Sequence, residues 1–176
     1  MKIVASMLLF LVLLLGGFYF YASRKIYPIT VERTFNMPVE KAWKNWVEAD
    51  SIKKWWGPKN YSAPIIQNDL KVGSTFLYSM KSPKGDVTWN TGKYSEIIPN
   101  KKIVSTISFS DETATTITAS QAGVLGQWAY QVILTVNFED VGGKTKVTVY
   151  EEGIPLIMSV FAKLGWEQQF DKFEKL

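Results

Sequence analysis

A chain with no histidine and no cysteine has few side chains with which to do chemistry. A thiol nucleophile, a Ser-His-Asp triad, an imidazole base and a Cys/His zinc site are all excluded. Carboxylates, lysines, tyrosines and hydroxyls remain, and acid–base work by these needs two groups converging on one point. The carboxylates offer no such pair. Asp69 precedes the turn Lys71-Val72-Gly73 and is expected to bond backbone amides there. Glu151 and Glu152 close a strand pattern, where neighbours face opposite ways. Glu96 stands alone. No catalytic residue, metal or cofactor is expected, and without cysteine there is no disulfide to indicate a redox compartment.

The aromatic residues say more. They make up 14% of the 176 residues, within an apolar share of 47%. Two adjacent tryptophans stand in Lys53-Lys54-Trp55-Trp56-Gly57-Pro58, a stretch that suits a docking surface, a cavity wall or a packed helix end. Neighbours on a helix lie ~100° apart, so Trp55 and Trp56 are not expected to point inward together. One should pack against a helix and the other cover a cavity mouth, while Gly57-Pro58 ends the helix. Strand alternation aligns Phe76, Tyr78 and Met80 on one face, and Trp128, Tyr130 and Val132 on another. With Trp89, Phe109, Trp166 and Phe170, these side chains either fill a core or line a pocket. Tyr78 and Tyr130 would each need a hydrogen-bond partner if buried, and a ligand oxygen is one source.

The elements that must position these residues can be read along the chain. Residues 26–28 form a short connector, and Ile29 to Phe35 alternates as a strand. Arg33 shares the strand's apolar side and would need a carboxylate or carbonyl partner if buried. Pro38 suits the first position of a helix that carries Ala42, Trp43, Trp46 and Val47 as its apolar stripe. Asp50 or Ser51 can cap a second short helix ending at the tryptophan pair. About six antiparallel strands should follow, the first weakened by Pro64 and so expected at an edge. Ser110 to Gly126 is polar and small, a long loop that is a candidate for mobility. The cleanest alternation runs from Trp128 to Phe138, and a hairpin turn at Val141-Gly142-Gly143-Lys144 leads into the next strand. A final helix places Val160, Leu164, Phe170 and Phe173 on roughly one face. This order predicts an α+β domain over residues 29–176, with the last helix across a concave sheet.

The first 25 residues are different. Ile3 to Ser23 carries no charge, and at ~1.5 Å rise per residue it matches the ~30 Å hydrocarbon core of a bilayer. Phe18 to Tyr21 beside Arg24 and Lys25 fit a membrane interface. A cleaved signal peptide is the competing reading, but cleavage after Ala22 or Ser23 would put Phe20 or Tyr21 where a small residue is needed. Residues 1–25 are therefore expected to be a single-pass anchor, with export after cleavage as the alternative. Setting aside Lys2, Arg24 and Lys25 from the 20 basic residues leaves 17 against 16 acidic ones, a net of +1. No basic stripe is interleaved with aromatics, so no nucleic-acid partner is expected.

Several pieces, in order, carry a family likeness: Val31 to Trp46, Lys53 to Pro58, Asn68 to Met80 with the turn Ser82 to Asp86, Gly92 to Thr106, Val132 to Pro155, and Gly165 to Leu176. Residues 29–176 resemble the helix-grip (START-like, SRPBCC) superfamily, and within it the Aha-type branch named for an activator of a heat-shock chaperone ATPase. The resemblance implies a curved antiparallel sheet around a C-terminal helix, with an apolar cavity between them. Members bind lipids, aromatic natural products or other hydrophobic molecules; some are cyclases and others have interaction roles. The N-terminal apolar segment and the early end at Leu176 depart from the family, and no catalytic set carries over. The first expectation is thus a membrane-anchored, non-catalytic module for a hydrophobic small molecule or lipid. The candidate cavity residues are Trp55, Trp56, Phe76, Tyr78, Met80, Trp89, Phe109, Trp128, Tyr130, Val132, Trp166 and Phe170. A protein-interaction module using the outer face of the sheet is the second reading. A cyclase- or hydrolase-like enzyme, needing a polar residue of perturbed pKa deep in the cavity, is the third.

Overall fold

The computed structural model describes residues 2–176, with side chains from Met7 onward. Helix α1 (Lys2–Arg24) leads into β1 (Ile29–Phe35), then α2 (Val39–Val47) and α3 (Ala49–Trp55). Six strands follow: β2 (Ile66–Asn68), β3 (Thr75–Lys81), β4 (Val87–Ile98), β5 (Lys102–Ser110), β6 (Val132–Asp140) and β7 (Thr145–Glu152). Helix α4 (Leu156–Phe173) closes the chain. The strands form one antiparallel sheet in the order β1-β7-β6-β5-β4-β3-β2, with the three-residue β2 at one edge. This is an α+β helix-grip architecture with one N-terminal apolar helix.

The inward face is set by alternation. Ile29, Val31 and Phe35 on β1, Val147 and Val149 on β7, and Val136 and Phe138 on β6 are all buried. Against them α4 lays Phe170 and Phe173, whose rings meet Phe35 edge-on at 5.3 and 5.0 Å. Helices α2 and α3 add Trp46 and Trp55, 4.6 Å apart. Among the described residues the core draws on residues 29–176 and takes nothing from α1. The segment 26–176 therefore holds its own sheet and core.

The structure corrects several expectations. Pro38 is the N-cap of α2 rather than its first helical residue. Glu48 precedes α3 with no side-chain cap, so neither Asp50 nor Ser51 caps it. Strand β6 begins at Val132, four residues after Trp128. The edge of β5 that Trp128 to Gln131 would need is taken by the chain folding back, through Ile117 N–H to Phe109 O at 2.9 Å and a bridge from Ser110 to Thr116. On α4, Val160 and Leu164 face outward while Phe170 and Phe173 are buried. Six residues of helical turn separate Leu164 from Phe170 by about 120° around the axis, too far for one face. Arg33 is satisfied as expected: it donates to Glu167 Oε2 at 2.5 Å and Asp171 Oδ1 at 2.7 Å, tying β1 to α4.

Helix α1 is exposed along Met7 to Tyr21, and only Ala22 and Ser23 of its described side chains are buried. Its window Met7–Arg24 is long and apolar enough to span a membrane. Its end is fastened to the domain. Gln127 N–H donates to Ser23 O and Leu156 N–H to Lys25 O, both at 2.7 Å, and Tyr27 N–H donates to Ile154 O at 2.8 Å.

A candidate site between the sheet and the last helix

The gap between the concave sheet and α4 divides into two halves. In one, Trp46, Trp55, Phe76, Tyr78 and Tyr94 close around a space of about 30 Å³, room for a water and no more. Tyr78 and Tyr94 share a hydrogen bond at 3.2 Å, and Tyr94 donates onward to Asn68 Oδ1 at 2.6 Å. Burial raises the pKa of both phenols, Tyr94 to about 12. The partner foreseen for Tyr78 is thus supplied by the protein itself. Phe170 belongs to this packed half too, against Phe35 and Trp46.

The other half is hollow. A cavity of about 540 Å³ opens between β4, β5, β7 and α4, within the range of small-molecule sites. Six predicted residues line it: Trp56, Met80, Phe109, Trp128, Val132 and Trp166. The buried lining side chains Trp56, Asn90, Val132, Glu151, Trp166 and Gln169 form its floor. Phe161 lines it while 64% exposed, which places the rim on the outer side of α4. Trp128 stands edge-on to Phe109 at 5.3 Å and donates to Leu125 O at 2.9 Å. Two predicted residues lie elsewhere. Trp89, turned from Asn90 by the pleat, lines a separate cleft of about 420 Å³ beside Asp111 and Glu112. Tyr130 sits in the loop before β6 and is 68% exposed.

Both tryptophans of the Lys53-to-Pro58 stretch are buried, against the expectation from helical spacing. Helix α3 ends at Trp55, and Trp56 is its extended C-cap at ψ 135°. Leaving the helix frees Trp56 from the ~100° step. Trp55 packs on Phe173 at 5.5 Å and donates to Asn45 O at 2.9 Å. Trp56 turns to the cavity between Tyr78 and Trp166, with ring centroids 5.2 and 6.1 Å away. Gly57 takes a left-handed φ of 86° that a side chain would strain, and its N–H donates to Gln169 Oε1 at 3.0 Å. Lys172 Nζ then donates to Gly57 O at 2.8 Å and to Trp56 O and Tyr61 O at 3.2 Å. These three carbonyls hold the stretch to α4, so it forms a cavity wall pinned at a helix end.

Glu151 is the cavity residue that the sequence reading set aside. The test for a carboxylate pair discarded it, although its alternation with Val147 and Val149 already placed it on the buried face. It is 9% exposed and accepts one hydrogen bond, from Trp166 Nε1 to Oε2 at 2.9 Å. Burial pushes its carboxyl up to about 7, and the Trp166 bond offsets this only in part. Among the described residues no lysine, arginine or second carboxylate lines the cavity. The hydroxyl of Ser108 is committed to Tyr130 O at 2.8 Å. Asn90 Oδ1 and Trp56 Nε1 are buried with no protein partner among the described residues. The arrangement is a single acid of raised pKa in an aromatic chamber, the feature that the enzyme reading called for, with no second carboxylate and no lysine beside it among the described lining residues. Two other carboxylates singled out in the sequence, Asp69 and Glu96, have protein partners. Asp69 accepts from Ser74 Oγ at 3.1 Å rather than from turn amides, and Glu96 pairs with Lys102 at 2.8 Å instead of standing alone. Among the described residues no cluster of His, Cys, Asp or Glu could hold a metal.

A curved antiparallel sheet, a C-terminal helix across it and an open chamber between them define a helix-grip protein. The family described as Activator of Hsp90 ATPase homolog 1-like protein matches residues 36–176, and the chain belongs to that family. A solved protein from Chromobacterium violaceum is similar at a TM-score of 0.70 and 19% identity, covering 84% of this chain and 94% of its own. One from Arthrobacter aurescens reaches a TM-score of 0.71 at 16% identity, covering 85% and 88%. The AHSA1 protein from Silicibacter pomeroyi reaches 0.69 at 16%, covering 85% and 96%. At these identities the likeness is one of fold. No curated protein matches the chain.

Proposed function

We propose that the domain holds one apolar small molecule or lipid in the cavity, and that α1 anchors it to a membrane from which the guest is taken. The carrying observation is the cavity of about 540 Å³, walled mainly by aromatic and aliphatic side chains, beside a packed half that shows the fold can close completely. The position of α1 supports the second part. Its last carbonyls bond Gln127 and Leu156, each within two residues of the cavity-lining Trp128 and Met158. The rim residue Phe161 and its neighbours Val160 and Leu164 are exposed on the same stretch of α4, and apolar side chains beside a membrane helix suit the interface. A guest entering there would not cross water. A protein-docking role on the outer sheet face has less support, since that face presents Glu32, Thr34, Asn137 and Glu139.

Native mass spectrometry on residues 26–176, purified gently from its own cell type, tests the binding reading. An adduct that disappears on organic extraction is expected. A clean apo mass, unchanged when lipids and aromatic compounds are offered, refutes it. For the anchor, the full chain should stay in the membrane fraction through an alkaline wash, whereas residues 26–176 should be released.

A further inference from the structure

We propose that the guest is an amphiphilic amine, whose single basic nitrogen seats against Glu151 at the cavity floor. This rests on the binding reading above and narrows its ligand class. Glu151 is the one charged side chain among the described lining residues, and it is buried. Its Oε2 accepts from Trp166, while Oε1 takes no hydrogen bond among the described residues. The groups packed around it bring no countercharge. Its strand partners are Ile29 on β1 and Leu134 on β6, and α4 presents the neutral indole of Trp166. A buried carboxylate without a cation is strongly disfavoured, and here burial outweighs the hydrogen bond from Trp166. A protonated amine supplies the missing charge and a donor for the free oxygen.

The walls favour the same ligand. Trp166 and Trp56 stand at 82° to each other with centroids 6.1 Å apart, and indole faces attract cations. Asn90 Oδ1 adds a second acceptor without a protein partner. Trp56 Nε1 is an unpartnered donor, but one indole N–H does not balance a full negative charge. Of the lysines on α4, Lys172 spends its ammonium on the carbonyls of Trp56, Gly57 and Tyr61, and Lys163 is exposed. A fatty acid would therefore bring its carboxylate to a floor that already holds one.

The test is calorimetric titration of residues 26–176 with decylamine, decanol and decanoate below their micelle concentrations. The buffer is slightly alkaline, so that Glu151 is ionised. The chains match, so differences report the head group. Decylamine should bind about tenfold or more tighter than decanol, as expected for a hydrogen bond to a buried charge, and decanoate should not bind. In Glu151→Gln, whose amide oxygen can still accept from Trp166, amine and alcohol should bind alike. Naphthylmethylamine run beside decylamine distinguishes a ring-borne amine from a chain-borne one. Equal affinity of amine and alcohol for the wild type, or an amine preference that survives Glu151→Gln, overturns the assignment and leaves the cavity reading standing. Silence of all the probes overturns both.

Discussion

Glu151 should make the domain less stable as pH rises, the reverse of what paired carboxylates do. Its folded pKa is about 7 against an ordinary 4.5, raised by burial. Below 4.5 the group is protonated in both states and costs nothing. Between 4.5 and about 7 the unfolded chain releases the proton while the folded domain keeps it, so the unfolded state gains. Above that window both states are ionised and the loss is complete. Across the window from 4.5 to about 7, at ~1.4 kcal/mol per pH unit, the loss comes to about 3 kcal/mol. Other carboxylates titrate in the same range, and Asp111 runs the opposite way because its hydrogen bonds to Thr113 and Thr115 lower its pKa. The informative quantity is thus the difference between wild type and Glu151→Gln, from urea unfolding of ligand-extracted residues 26–176 across pH. The variant should be nearly as stable at acid pH and more stable by about 3 kcal/mol at pH 8. Parallel curves would mean that Glu151 is not buried as a lone acid, and the floor of the cavity would need redrawing.

Three further outcomes follow from the packing. Lys172→Met removes the donor to the carbonyls of Trp56, Gly57 and Tyr61 and should cost about 1.5–3 kcal/mol by urea midpoint; a neutral result would show that the cavity wall is not held by that lysine. Gly92→Ala would place a Cβ 1.9 Å from Thr106 O and 2.5 Å from the Phe76 ring, so loss of at least about 1–3 kcal/mol is expected, and an unchanged melting temperature would contradict the close approach. Ala162→Trp should fill the hollow half, where Ala162 lines the cavity, and abolish decanol binding in calorimetry while the domain still unfolds cooperatively. Retained decanol binding would place the guest elsewhere.

Most of the architecture was legible because it follows from periodicity. The alternation Val147, Val149, Glu151 and the stripe Ala42, Trp46 each register a face directly, and short connections join β2 through β5 in turn and β6 to β7, whereas the pairing of β1 with the distant β7 has no local sign. What stayed hidden depends on contacts distant in the chain. The start of β6 is set by Ile117 folding back on β5, which no local pattern announces. The inward turn of Trp56 needs α3 to stop one residue early. On α4, Val160, Phe161 and Leu164 are as apolar as Phe170, yet only the geometry shows them outside. Glu151 was in view on the buried face, but a search for paired acids has no place for a single one. The cavity residues were found as a class, aromatic and inward, while their division between packed and open halves was not visible in the letters.

That division has a physical cause in the two covers of the sheet. Over one half lie α2 and α3, which bring Trp43, Trp46 and Trp55, and their rings engage Phe138 and Phe173 at 5.3 to 5.6 Å. Each such pair contributes about 0.5–1.5 kcal/mol beyond its area, so this half can carry the stability of the fold. Over the other half runs the segment from Asp111 to Gln131, rich in threonine, alanine and glycine, of which Ala119 is the only buried hydrophobic among the described residues. A cover without bulk cannot fill the space beneath it, and the space remains. The hollow is therefore written into composition: the same sheet is sealed where α2 and α3 bring Trp46 and Trp55, and open beneath a segment whose one tryptophan, Trp128, stands in the cavity wall. The open side is also the side to which α1 is fastened, through Ser23 and Lys25. Stability and access are thus assigned to opposite ends of one gap, and the buried acid lies at the end that a guest can reach.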